Sequence, residues 1–110
     1  MPKENYLQKQ VIDYLKTLPN SYSYVNHGSA YSGKGRPDIY LLWRGVSIFF
    51  ELKKPGTINV ESALSPDQKA HRTQIEWAGG HFYAPTSLAQ VKEILESHFP
   101  TPKPHDLFNQ

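Results

Sequence analysis

The segment "PDIYLLWRGVSIFFELK", residues 37–53, contains two apolar runs on either side of Arg44 and Gly45. Each run has the length and the aromatic and β-branched composition of a β-strand. Because only two residues separate the runs, they predict a hairpin made of strands at residues 38–43 and 46–52. Both strands are apolar on both faces, which is typical of buried strands in the centre of a sheet.

The register of this hairpin follows from its short turn. A two-residue turn pairs the residues at 43 and 46, and counting outward from that pair places Asp38 opposite Glu51. Residues that face each other in this way have Cβ atoms about 5 Å apart on the same face of the sheet. Lys53, two residues beyond Glu51, points to that face as well, so two carboxylates and one amine are predicted to converge.

Two adjacent carboxylates repel each other, so a site that keeps both ionised at neutral pH favours a cation between them. Asp38, Glu51 and the backbone carbonyl of Leu52 offer the oxygen ligands that Mg²⁺ prefers, with room for water. Lys53 is suited to orient or deprotonate that water and to offset charge on a phosphoryl group. Lys54 is predicted to point to the opposite face and receives no role.

A simpler interpretation of the same residues remains open. Asp38 would then begin its strand as a turn residue after Pro37. Glu51 and Lys53 would form a solvated charge cluster near a sheet edge.

The rest of the chain predicts an α/β domain with a mixed sheet flanked by helices, in the order α-β-β-β-α-β-α. The further predicted elements are a helix at residues 4–18, strands at 22–26 and 81–85, and helices at 65–78 and 87–99. The helix at residues 65–78 is predicted to begin with a capping box and a proline in its first turn, from Ser65, Pro66 and Gln68. Residues 1–99 form the predicted domain, and the proline-rich residues 100–110 are expected to be a flexible tail.

Composition narrows the class of protein. The chain has 110 residues, which suits one domain, and it has no cysteine, which excludes disulfides and thiolate zinc sites. No apolar run approaches the roughly 20 residues of a membrane span, and no targeting segment is evident, so a cytoplasmic location is the default expectation. The net charge of +2 permits nucleic-acid binding without demanding it.

Residues 28–35, "GSAYSGKG", nearly match a nucleotide-binding P-loop. The required Ser or Thr after Lys34 is replaced by Gly35, which has no hydroxyl to hold Mg²⁺. A strand follows where a P-loop requires a helix, so this interpretation is disfavoured.

Several residues near the hairpin are candidates for the same site. Glu4 lies on the apolar stripe of the first helix, which suggests that it points at the metal, although a glutamate there also favours the helix dipole. Gln8, one turn later, shares that face. His27 is a possible ligand or base, but an isolated histidine is more often neither. The candidates for contact with phosphates are Lys34, Arg36, Lys69 and Arg72, and the alternative for the last two is a solvated helix face.

These residues resemble the PD-(D/E)-x-K nuclease signature, and in particular its VRR-NUC branch. The motifs that match in order are Glu4, Gly35-Arg36-Pro37-Asp38, Glu51-Leu52-Lys53 and Leu64-Ser65-Pro66-Asp67-Gln68. The resemblance covers about residues 4–95, within the roughly 2–4 residues to which the ends of predicted elements are accurate.

The resemblance implies a restriction-endonuclease-like αβββαβ(α) core and a Mg²⁺- or Mn²⁺-dependent phosphodiesterase that acts on DNA. It implies catalytic roles for Asp38, Glu51, Lys53 and Glu4. It also places Gln68 in the site, where it would orient Lys53 or water unless its capping role excludes this. Small members of the branch, many from phages, resemble Holliday-junction resolvases that act on branched duplex DNA as homodimers. A bacterial or phage-infected cell is the corresponding setting. The alternatives are a flap- or end-processing repair nuclease, a branched-DNA-binding module without cleavage, and a sequence-specific restriction enzyme, for which no recognition insertion is evident.

Overall fold

The computed structural model describes residues 3–27 and 34–98. Its elements in chain order are α1 (Lys3–Leu15), β1 (Ser21–Val25), β2 (Ile39–Trp43), β3 (Val46–Phe50), α2 (Val60–Ala63), α3 (Pro66–Trp77), β4 (His81–Tyr83) and α4 (Leu88–His98). The four strands form one sheet in the order β1-β2-β3-β4, with β3 and β4 parallel and the other neighbours antiparallel. This confirms the predicted α/β class with a mixed sheet. The predicted tail at residues 100–110 lies outside the described residues.

The hairpin of β2 and β3 has the predicted register, with Trp43 opposite Val46 and Ile39 opposite Phe50. Both turn residues adopt positive φ, 54° at Arg44 and 79° at Gly45. Two-residue turns of this kind match the twist of antiparallel strands, which is why so short a connection suffices. The guanidinium of Arg44 lies 4.4 Å from the ring centre of Trp43.

The hydrophobic core lies on one face of the sheet, which we call the inner face. Helices α1 and α4 pack on it through Leu7, Val11, Leu15, Val91 and Leu95. The strands contribute Ile39, Leu41, Trp43, Ile48 and Phe50. Burying each such side chain fully contributes about 1.5–3 kcal/mol, so this face anchors the strands whose ends carry the residues of the predicted site.

The opposite, outer face is less covered than the sequence predicts. Tyr40 and Phe49 are only half-buried, and Leu42 is 36% exposed. The prediction that both faces of β2 and β3 are buried was therefore wrong. The physical reason is that α3 packs beside β4, at one edge of the sheet, and leaves the outer face of β1 and β2 without a helix across it.

Several elements end earlier than predicted. Helix α1 stops at Leu15 instead of residue 18, and tighter turns follow, in which Thr17 N–H donates to the carbonyl of Tyr14. Strand β3 stops at Phe50 instead of residue 52, although the N–H of Glu51 still donates to the carbonyl of Tyr83 on β4, 2.9 Å away. The short helix α2 was not predicted. Among the described helices, none combines the length and the apolar character that crossing a membrane requires.

Candidate active site

Three of the predicted catalytic residues, Asp38, Glu51 and Lys53, line one cleft at the ends of β2 and β3. Asp38 directly precedes β2, and Glu51 directly follows β3. A cleft of about 460 Å³ opens at this point. The residues that line it are Gln8, Asp38, Glu51, Leu52, Lys53, Lys54, Thr57 and Ala63.

Glu51 is an unusual member of this cleft because it is a buried carboxyl group, 5% exposed. Burial and then the neighbouring charge of Asp38 raise the pKa of Glu51 from 4.5 to about 9, against the opposing attraction of Lys53. Burial disfavours the ionised form of a carboxyl group, and a second carboxylate beside it adds repulsion. Without a cation, the pair therefore holds a proton at neutral pH.

The carboxylate oxygens differ in how they are bonded. Oδ2 of Asp38 accepts a hydrogen bond from the backbone N–H of Leu52, at 2.7 Å, which fixes the side chain against the end of β3. Oε1 of Glu51 is buried and has no hydrogen-bond partner among the described residues. A buried oxygen without a partner is costly, and such atoms commonly mark a place for an ion or water.

The two carboxylates fit a hard divalent cation. Such ions prefer carboxylate oxygens and neutralise the repulsion that otherwise keeps Glu51 protonated. Within residues 3–27 and 34–98, no group of three or more His, Asp or Glu side chains converges as a metal site. A cation held by Asp38 and Glu51 would thus keep several water ligands, as Mg²⁺ commonly does.

Lys53 is held in the cleft by Gln68. Its Nζ donates to Oε1 of Gln68 at 2.9 Å, and the same oxygen accepts the N–H of Ser65, also at 2.9 Å. The hydroxyl of Ser65 accepts the N–H of Gln68, which completes the predicted capping box. A carbonyl oxygen has two lone pairs, so the capping role of Gln68 and its contact with Lys53 coexist.

Lys54 also lines the cleft, although the sequence predicts it on the opposite face. That prediction was wrong because strand alternation ends with β3. Lys54 instead begins a turn, in which the N–H and the hydroxyl of Thr57 both donate to its carbonyl oxygen. The dipeptide Pro55-Gly56 is a turn signal that could have revealed this break in alternation. Gln8 lines the cleft from α1, on the face that the sequence assigned to it.

The segment that leads into Asp38 is docked on α3. Gly35 has a φ of 81°, and a Cβ added to it would lie 2.5 Å from the backbone carbon of Asp67. Only glycine fits this position, because both the conformation and the close approach exclude a side chain. The carbonyl oxygen of Lys34 lies 2.9 Å from Nε2 of His71, on the same helix. Arg36 points away from the cleft and lines a separate groove beside Tyr24 and Tyr40.

The remaining candidates are placed as follows. Arg72 forms two hydrogen bonds with Glu61, of 2.6 and 2.8 Å, and so ties α3 to the unpredicted helix α2. Lys69 lies on α3 and is half-buried, and His27 is exposed at the end of the first described segment. The backbone of Glu4 belongs to α1, but its side chain lies outside the described residues.

Comparison with known proteins supports this fold. The chain is similar to a solved structure described as a "VRR_NUC domain", with a TM-score of 0.71 and 23% sequence identity. The superposition covers 90% of this chain and 100% of that chain. No family model and no curated protein matches the sequence. The likeness confirms the fold that the sequence motifs predicted, a mixed sheet with flanking helices of the restriction-endonuclease type.

Proposed function

We propose that this chain, which has the fold of a VRR_NUC domain, is a metal-dependent and structure-selective DNA endonuclease that resolves Holliday junctions. The observation that carries the proposal is the convergence of Asp38, Glu51 and Lys53 on one cleft. Two carboxylates with an unpartnered buried oxygen and a positioned ammonium group suit metal-assisted hydrolysis of a phosphodiester.

In this proposal, Asp38 and Glu51 hold Mg²⁺ or Mn²⁺, with Glu4 assisting through water. The metal supplies Lewis acidity, which makes water nucleophilic at neutral pH and offsets phosphate charge. Lys53 provides a fixed positive charge for the phosphoryl oxygens as negative charge develops in the transition state. Gln68 positions Lys53, because its side-chain oxygen is the acceptor for the ammonium group.

DNA would be held by positive side chains on the segment before β2 and on α3. Lys34, Arg36 and Lys69 are proposed to contact phosphates, which fix the position of a duplex without reading its sequence. Arg72 would also contact a phosphate, next to the carboxylate of Glu61 with which its guanidinium already forms a salt bridge. A homodimer would present two clefts related by a two-fold axis, which matches the symmetry of a four-way junction.

Cleavage assays on matched substrates test the proposal. A labelled four-way junction, a flap and a linear duplex are each incubated with Mg²⁺, Mn²⁺ or EDTA. The proteins are the wild type, Asp38→Asn and the control Asp13→Asn, whose exposed side chain pairs with Lys9 on α1. Asn at position 38 keeps an oxygen that can accept the N–H of Leu52, so the fold is preserved while the charge is lost. We expect paired symmetric nicks in the junction that disappear in EDTA and in Asp38→Asn only.

Each other outcome has a defined meaning. Unchanged cleavage by Asp38→Asn would reject the mechanism. Metal-dependent cleavage of flaps or ends would indicate a repair nuclease instead of a resolvase. Tight binding of the four-way junction without cleavage would favour the non-catalytic DNA-binding module. Measuring the mass in solution, with and without DNA, tests the assembly, since a strict monomer in both cases contradicts the homodimer.

A further inference from the structure

A row of aromatic rings crosses the outer face of the sheet. Tyr22 and Tyr24 of β1 have ring centres 5.8 Å apart, and the ring of Tyr24 lies 5.4 Å from that of Tyr40 on β2. Tyr40 in turn lies 4.9 Å from Phe49 on β3. Tyr22 is 62% exposed and Tyr24 is 46% exposed, so a large part of this row faces solvent. The core on the inner face does not require these rings.

A groove separates this row from helix α3, and we call it the aromatic groove. It consists of two adjoining cavities of about 240 and 510 Å³. The residues that define it are Tyr24, Tyr40, Phe49, Arg36, His71 and Ile75. The larger cavity falls in the range of about 300–1,000 Å³ that is typical of ligand sites, which usually combine apolar walls with a few polar groups.

The charge of the aromatic groove has one sign. Arg36 lies at one end, and none of the described side chains that line the groove is a carboxylate. Within the described part of the chain, Arg36 also forms no salt bridge. Aromatic faces next to a guanidinium without competing carboxylates suit a ligand that is flat and apolar at one end and anionic at the other. A nucleotide has this chemistry, because its base stacks on aromatic rings and its phosphate pairs with arginine.

The aromatic groove is next to the carboxylate cleft. Tyr40 and Phe49 are paired across the hairpin; Tyr40 follows Asp38 by two residues, and Phe49 precedes Glu51 by two residues. Two residues of a strand span roughly 7 Å, so Tyr40 and Phe49 lie close to the two carboxylates along the chain. Pro37 lines the aromatic groove, and Asp38 lines the cleft, so consecutive residues connect the two.

We propose that the aromatic groove binds an unpaired nucleotide of the DNA whose backbone lies in the cleft. Tyr24 and Tyr40 provide the stacking surface, and Arg36 contacts the adjoining phosphate. A nuclease that acts on branched DNA would thereby capture a base that is released when a pair opens at the branch point, in addition to contacting the duplex. This inference rests on the proposed function for the source of the nucleotide, but the binding itself needs neither metal nor cleavage.

Binding of single-stranded DNA in EDTA tests the proposal separately from catalysis. The probe is a fluorescently labelled oligothymidine of about 15 nucleotides, within the range of common single-strand site sizes. Tyr24→Leu removes a ring that is partly exposed, and Tyr6→Leu is the control, since Tyr6 is 61% exposed on α1. We expect Tyr24→Leu to weaken binding about tenfold, as loss of one stacked base does, and Tyr6→Leu to leave it unchanged.

Two further measurements locate the contact. Arg36→Gln should weaken binding and lower the salt slope by about 0.7, the value for one phosphate contact on a single strand. An oligothymidine that carries one photoreactive 5-iododeoxyuridine should cross-link to Tyr24 or Tyr40, which peptide mass spectrometry identifies. Unfolding curves of each variant confirm that the chain is folded.

The outcomes separate this inference from the proposed function. A wild type that does not bind oligothymidine, or variants at positions 24 and 36 that bind as tightly as the wild type, would overturn the inference even if junctions are cleaved. Binding and cross-linking by a protein that cleaves no DNA would support the groove and reject the nuclease. If Tyr24→Leu dissociates a dimer while affinity per chain stays constant, the face belongs to a second copy and the inference fails.

Discussion

Replacing Glu51 with Gln should remove a pH-dependent destabilisation of the folded chain. The pKa of Glu51 is raised by burial and by Asp38 from 4.5 to about 9, so the folded state holds this proton more tightly than the unfolded chain does. The stability that the proton contributes is fully present below about pH 4.5 and is lost as the pH rises toward 9. Gln has nearly the same shape as Glu and carries no titrating group, so the stability of the variant should not fall with rising pH for this reason.

The magnitude follows from the linkage between protonation and folding. Each pH unit between the two pKa values lowers the free energy of unfolding by about 1.4 kcal/mol when one proton is involved. Between about pH 5 and pH 7 the wild type should therefore lose about 3 kcal/mol relative to Glu51→Gln. In a domain of this size, that difference corresponds to a melting temperature lower by about 10 °C.

Urea unfolding in EDTA at pH 5, 6 and 7 measures this difference directly. The control is Glu96→Gln, which changes an exposed glutamate on α4. Histidines titrate in all three proteins, so the informative quantity is the difference between each variant and the wild type at each pH. If the free energies of unfolding of Glu51→Gln and the wild type differ by the same amount at all three pH values, the claim that the buried carboxyl pair holds a proton is refuted. An equal effect of Glu96→Gln would refute it as well.

Three further predictions concern the parts that surround this pair. Adding Mn²⁺ at neutral pH should raise the melting temperature of the wild type but not of Asp38→Asn, because Asp38 and Glu51 together would hold the metal in place of a proton. Equal shifts would contradict a metal at this cleft. Ser65→Ala should cost about 1 kcal/mol of stability and retain cleavage, because the N–H of residue 65 still bonds Gln68. Gln68→Leu should lower both the stability and the cleavage rate, because Lys53 loses its acceptor. Similar cleavage rates for the two variants would contradict the role of Gln68 in positioning Lys53. Gly35→Ala should destabilise the chain by more than Gly56→Ala, as thermal unfolding would show, because both have positive φ but only position 35 lacks space for a Cβ. The strain common to both is about 1–2 kcal/mol, and equal losses would contradict the close approach.

The features that the sequence predicted correctly are those fixed by local rules. Arg44 and Gly45 form a two-residue turn, and this alone sets which residues of β2 and β3 face each other. The spacing of Ser65 and Gln68 defines a capping box in any helix start. Both rules act over a few residues, so no knowledge of the packing was needed. Asp38 and Glu51 each lie one residue beyond the last pair of this register, Ile39 with Phe50.

The features that were missed depend on distant parts of the chain. The partner of Arg72 is Glu61, eleven residues earlier, on a helix too short to show a periodic pattern. The exposure of Tyr24 and Tyr40 depends on where α3 packs, which the apolar pattern of the strands does not encode. The raised pKa of Glu51 results from burial after folding, a property that its neighbours in the sequence do not reveal.

The shared oxygen of Gln68 couples the dynamics of α3 to the chemistry of the cleft. When the first turn of this helix frays, the side chain of Gln68 loses the N–H of Ser65 that holds it, and Lys53 loses a fixed acceptor at the same time. The free energy of this local opening therefore sets the fraction of molecules in which the ammonium group is in place. Amide hydrogen exchange at the start of α3 would report that fraction. Solvent conditions that loosen the turn would lower activity well before the sheet unfolds.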